Sequence, residues 1–128
     1  MKGKKKGIYS ITHEETYTNG QVIFKEDSAG DWLYIILRGS VETSRNVEGR
    51  KLIIERLQHG DLIGEIEFMG SMRRTVTAQA VDETILGVID REAINQDFGQ
   101  LSKQFKSILK TIPVRLRKII DRACDTSG

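Results

Sequence analysis

The sequence predicts a mainly β domain, a sandwich or barrel of short strands, followed by C-terminal helices. Two observations carry this. Gly20, Gly30, Gly39, Gly49, Gly60 and Gly64 punctuate the front of the chain, about ten residues apart for most of the stretch, a spacing that suits short strands joined by turns. Beyond Ile89 the apolar residues change to steps of three and four, which mark one face of a helix. At 128 residues there is room for one domain around one core.

Each segment follows from its residues. Gln21 to Phe24 is short and rich in β-branched and aromatic side chains, as a strand should be. Trp32 to Leu37 is a continuous apolar run, suited to a strand buried on both faces. Val41 to Ser44 continues after Gly39, and Lys51 to Leu57 follows the turn Asn46-Val47-Glu48-Gly49. Thr75 to Val81 alternates strictly, and Thr84 to Ile89 closes the set. Asp90 is placed to cap a short helix through Phe98, ended by Gly99. Phe105, Ile108, Leu109, Ile112, Leu116, Ile119, Ile120 and Ala123 then form one apolar face. Pro113 interrupts this helix and removes a backbone donor, but the face keeps its phase across it. A kink or two nearly coaxial helices is expected there, not a sharp turn.

Composition excludes several classes. A net charge of +2 does not mark a nucleic-acid binder, and much of the excess lies in Lys2, Lys4, Lys5 and Lys6, read as a solvated flexible tail. The single cysteine, Cys124, rules out an internal disulfide framework and fits a reducing compartment. The basic start is not followed by an apolar signal region, and no apolar run reaches membrane-helix length, so a cytoplasmic protein is expected. The only histidines are His13 and His59, and no nucleophile motif or paired-cysteine site is present. The expectation is therefore no enzyme: no catalytic residue, no metal and no cofactor.

The informative stretch is Gly60-Asp61-Leu62-Ile63-Gly64-Glu65-Ile66, followed by Met72-Arg73-Arg74-Thr75-Val76-Thr77-Ala78. A glycine entering a short helical turn lets backbone N–H groups approach an anion. An arginine on the facing segment can grip a phosphate with two parallel hydrogen bonds. A carboxylate between them can accept from a sugar hydroxyl. Thr75 and Thr77, two apart on a strand, would point to one face, with Val76, Ala78 and Ala80 on the other. Together these describe a site for a small phosphorylated ribose compound.

These residues resemble the phosphate-binding cassette of cyclic nucleotide-binding domains, the sensor domains of catabolite activator proteins, kinase regulatory subunits and cyclic-nucleotide-gated channels. Gly64-Glu65-Ile66 opens the cassette, and Arg74 follows at the usual spacing. Arg73-Arg74-Thr75 is similar to the channel version. Gly20-Gln21-Val22-Ile23-Phe24, Leu33-Tyr34-Ile35-Ile36 and Gly39-Ser40-Val41-Glu42 resemble the family's early strands.

The resemblance covers about residues 15 to 98 and implies a jelly roll, or double-stranded β-helix, with a cassette helix and one or two C-terminal helices. It divides the chain into a lead-in over 1–14, the jelly roll over 15–98 and an amphipathic helical segment over 99–128. It implies that Glu65 accepts the ribose 2′-hydroxyl, that Arg74 pairs with the cyclic phosphate, and that the backbone of Gly64, Glu65 and Ile66 shares the anion. Thr75 is available to phosphate or base, and Thr77 to the base pocket. The resemblance implies cAMP or cGMP as the ligand, with occupancy relayed through the C-terminal helices. No DNA-reading module is expected within these 128 residues. The helical seam is available to fold against the barrel, to pair with a second copy, or to contact a partner protein. The other reading is an interaction or dimerisation module whose pocket binds no nucleotide. Two departures stand out. Glu67 occupies a position where the family has a small residue, and would repel a cyclic phosphate unless it turned to solvent or paired with Arg73. Glu26 stands where many relatives have glycine, read as a loop variation.

Overall fold

The computed structural model describes residues 4–30 and 32–125. Seven antiparallel strands and three helices follow in order: β1 (Lys4–Lys6), β2 (Tyr9–Tyr17), β3 (Val22–Phe24), β4 (Tyr34–Val47), β5 (Arg50–Gln58), β6 (Leu62–Ile63), α1 (Glu65–Gly70), β7 (Thr77–Ile89), α2 (Arg91–Gly99) and α3 (Lys103–Asp125). The strands form one sheet in the order β1-β2-β7-β4-β5, with β3 added to β7 and β6 to β4. This is a jelly roll with C-terminal helices.

The long strands β4 and β7 are its spine. Each unites two segments that the sequence presents as separate strands. In β4 the join is Gly39, at φ +85°, where the register against β7 shifts on either side of Arg38. In β7 the join lies around Asp82, at φ +63°. The bulged crossing lets one pair of strands serve both ends of the sheet. Alternation along β4 then feeds two cores. Tyr34 and Ile36 join Val41, Ile63, Ala78, Leu86 and Val88 inside the roll, whereas Ile35, with Leu33 just before the strand, joins Ile11 and Ile89 on the other side. The apolar run is thus buried on both faces from Leu33 to Ile36, but not over its full expected length: Trp32, ahead of the strand, is exposed, and Leu37 is half-buried.

The front end differs from expectation. Lys4, Lys5 and Lys6 are not a free tail: their backbone pairs with Ile11, Ser10 and Tyr9 of β2, after a turn at Gly7 with φ +62°. Lys2 lies outside the described residues. Strand β2 itself was not legible, because only Ile11 of its nine residues is buried, so no apolar alternation marks it. β7 begins at Thr77, and Thr75 lies in a bend before it.

At the C-terminal end Asp90 caps α2 through its side chain, which accepts from the amides of Glu92 and Ala93. Helix α3 runs as one element through Pro113, which is buried. No helix among the described residues is long and apolar enough to cross a membrane.

Gly39 tests the bulge. A Cβ there would meet the Glu83 carbonyl and the Thr84 side chain, in addition to the left-handed φ. Gly49 has a similar φ of +80° but nothing near its missing side chain. Urea melts should show Gly49→Ala costing about 1 kcal/mol and Gly39→Ala at least about 2 kcal/mol. Equal losses would remove the bulge as a packing constraint.

Candidate functional site

The cassette residues converge where β6 passes into α1 and the chain returns to β7. Gly64 turns the chain with φ +88°. A Cβ there would lie 2.6 Å from the Trp32 carbonyl oxygen and 2.7 Å from Arg74 Nη1, so the glycine makes the space that the guanidinium fills. The backbone of Arg74 is held on both sides by the loop after β3: its amide donates to the Ser28 carbonyl at 2.9 Å, and its carbonyl accepts from the Asp27 amide at 2.7 Å.

The Arg74 side chain is only 2% exposed, as is that of Glu67. Arg74 Nη1 donates to Glu67 Oε1 at 3.1 Å, and the Thr75 amide donates to Glu67 Oε2 at 3.1 Å. Arg74 Nη2 donates to the Trp32 carbonyl at 3.0 Å, and the guanidinium carbon sits 4.0 Å from the centre of the Phe24 ring. Arg74 Nε and Thr75 Oγ1 are buried with no hydrogen-bond partner. Glu67 therefore neither faces solvent nor pairs with Arg73. Arg73 reaches outward to Asp27, donating to its carbonyl at 2.6 Å. The reason is position: Glu67 lies in α1 on the side facing Arg74, whereas Arg73 is exposed.

The other predicted residues divide. Gly64, Glu65, Ile66 and Glu67 line one cavity with Phe24, Thr43, Leu57, Ile63 and Val76, and Ile120 of α3 is also in its wall. The space left is about 30 Å³, enough for water and far short of a nucleotide. Thr77 is engaged elsewhere: its hydroxyl accepts from the Glu26 amide at 3.0 Å. Because Thr75 precedes the strand, strand alternation does not put the two threonines on one face. Glu26 is also a structural anchor, since its carboxylate accepts from the Asn46 amide at 2.7 Å.

Sequence reasoning missed the residues that tie α3 to this site. Arg45 of β4 donates through Nε to the Thr75 carbonyl and through Nη2 to Asp121 of α3, each at 2.5 Å. Arg117 of α3 donates to the Arg73 carbonyl at 2.7 Å. The carbonyls on either side of Arg74 are thus both held by arginines bound to or belonging to α3. Arg45 stands 30 residues from Thr75 and 76 from Asp121, and no local pattern marks such contacts.

Glu65 is exposed at its surface, yet desolvation by the protein around it raises its carboxyl above the ordinary 4.5, against a backbone hydrogen bond that lowers it and with Glu67, Glu55 and Asp61 adding to the rise. A carboxyl raised in the folded state holds its proton more tightly there. Stability from this group is full below the unfolded value and is lost as pH climbs through the folded one. Glu65→Gln should be more stable than the parent in urea at neutral pH, with the difference closing as pH falls below 4.5. A pH-independent difference would contradict this.

Comparison with known proteins gives the site its context. Residues 14–100 match the family model of the cyclic nucleotide-binding domain. The chain is 26% identical over 110 residues to a CRP-like cAMP-activated global transcriptional regulator of Mycobacterium tuberculosis, covering 85% of this chain and 49% of that protein. It is 36% identical over 87 residues to a cGMP-dependent protein kinase of Toxoplasma gondii, covering 68% of this chain and 8% of the kinase. The fold is similar to the EAL enzyme Bd1971 in its cAMP-bound form, with a TM-score of 0.78 and 24% identity over 88% of this chain and 30% of that one. The chain spans about half the length of the regulator and far less of the kinase. With the family model covering well over half of its residues, this chain belongs to the cyclic nucleotide-binding domain family.

Proposed function

We propose that this chain is a non-catalytic, cytoplasmic sensor that takes cAMP or cGMP into its cassette and passes the occupancy to α3. The observation that carries this reading is the buried Arg74, with unspent donors on its own Nε and on Thr75 Oγ1. A buried donor without a partner is costly, and a phosphate supplies acceptors that would satisfy it. Glu65 and Ile66 line the neighbouring cavity, where ribose and base would lie.

The relay follows from the closed geometry. A cavity of about 30 Å³ admits no nucleotide, so its wall has to open for one to enter, and Ile120 puts α3 in that wall. Arg45 and Arg117 link α3 to the backbone on both sides of Arg74, so displacement at the anion seat and displacement of the helix are mechanically joined. Residues 15–98 then act as receiver and residues 99–128 as output. A ligand shifts the helix only by as much as it favours one arrangement over the other.

A second reading rests on the surface of α3. Phe105, Ile108, Ile112, Leu116 and Ile119 are exposed, with Ile119 at 60%, although they recur at helical spacing. An apolar seam facing water on a 23-residue helix fits packing against a second copy of the chain. In this reading α3 is both the output and a homodimer contact.

Two measurements test these readings. Arg74→Ala should weaken binding of cAMP or cGMP by about 2–5 kcal/mol in calorimetry, with Arg74→Lys, which keeps the charge and loses the fork, falling between. Unchanged affinity would remove Arg74 from the ligand. Ile119→Asp should convert a dimer to monomer in sedimentation analysis while leaving nucleotide affinity intact. A monomeric parent protein would sink the seam as a self-contact.

A further inference from the structure

We propose that Glu67 sets which ligands this cassette accepts: its carboxylate holds the anion seat of the unliganded site, and a cyclic phosphate binds by exchanging with it. The inference rests on the nucleotide reading above and concerns what that site does when no nucleotide is bound.

The geometry is that of an occupied anion site. One carboxylate oxygen of Glu67 takes the guanidinium Nη1 of Arg74, and the other takes the backbone amide of Thr75, both at 3.1 Å. A charged side-chain donor and a backbone donor from consecutive residues converge on one bidentate anion, which comes from the protein's own chain seven residues upstream of the arginine. The arrangement is shut away from water, with both side chains 2% exposed. It is also incomplete. Arg74 Nε and Thr75 Oγ1, on the same two residues that hold the carboxylate, are buried and unpartnered. A carboxylate presents two oxygens in one plane, whereas a phosphate presents them in a tetrahedral array and reaches donors that the carboxylate leaves unmet.

Two consequences for the ligand follow. An anionic ligand has to expel a buried carboxylate from its partner, and the released Glu67 has to find water. An uncharged ribonucleoside has no claim on Arg74, so once the cavity has opened to admit it, it leaves the pair in place and gains only the contacts of the other walls, Glu65 among them. The cassette therefore discounts the phosphate contribution to affinity. Glu67 lies in α1, whose Gly70 packs close to Pro113 of α3, so the exchange also moves the element on which the output helix rests.

The test compares the full chain with Glu67→Gln and Glu67→Ala. Glutamine keeps the size and an acceptor for the Thr75 amide but removes the charge, so it guards against a variant that fails to fold. Calorimetry with cAMP and cGMP, and with adenosine and guanosine as uncharged probes, supplies the readout. In both variants cyclic nucleotide affinity should rise by about tenfold or more, because the competitor is gone and a buried guanidinium is left without a counter-ion. Nucleoside affinity should stay within about twofold of the parent, well under the tenfold step expected for the nucleotide. The thermal shift on adding cyclic nucleotide should be larger in the variants than in the parent. A parent that binds cyclic nucleotide as tightly as both variants, or a parallel rise for nucleosides, overturns the exchange and leaves the nucleotide reading standing. Failure of all three chains to bind any cyclic nucleotide overturns the nucleotide reading itself, and the exchange with it.

Discussion

A guanidinium placed inside a protein must be matched there, and the match between Arg74 and Glu67 organises this domain. Removing an ion from water costs several kcal/mol even after relaxation, so the site holds together only because every neighbour contributes. Glu67 supplies the charge, the Trp32 carbonyl a further acceptor, and the Phe24 ring a polarisable face. These groups come from α1, from the chain entering β4, and from β3. The loop after β3 pins the arginine backbone, and Gly64 clears the volume. Segments distant in sequence are drawn to one point because the charge at that point has no cheaper solution.

The jelly roll makes this convergence possible. β4 and β7 are long enough to be bent, and their bulges near Gly39 and Asp82 let one strand pair run through both ends of the sheet. The cores on either side of β4 hold it rigid, while the cassette, built of a turn, a six-residue helix and a bend, is left between strands. Rigid strands thus carry a short irregular segment whose shape is set by polar contacts, and α3 lies against that segment.

Much of this was readable from the chain, and the reasons for the remainder are specific. The front strands, the Asp90 cap and the helical face of α3 all announce themselves through local periodicity or capping chemistry. So did Gly64 and Arg74, because their type and spacing carry the family resemblance. The N-terminal pairing did not: β1 is a run of lysines and β2 buries only Ile11, so their strand character comes from backbone hydrogen bonds that no side-chain pattern reports. Glu67 was visible as an anomaly, but its partner was misassigned. Arg73 and Arg74 are adjacent in sequence and opposite in fate, one exposed against Asp27 and the other buried. Only the three-dimensional path of α1 and the loop after β3 distinguishes them.

The two arginines that bind α3 to the cassette both end on backbone carbonyls, those of Arg73 and Thr75. A carbonyl is present whatever side chain the residue bears. The coupling between cassette and helix is therefore blind to side-chain identity at those positions. Side chains in the cassette can change while these contacts to α3 persist. In the sensor proposed above, what is detected can therefore diverge without reinventing how it is reported.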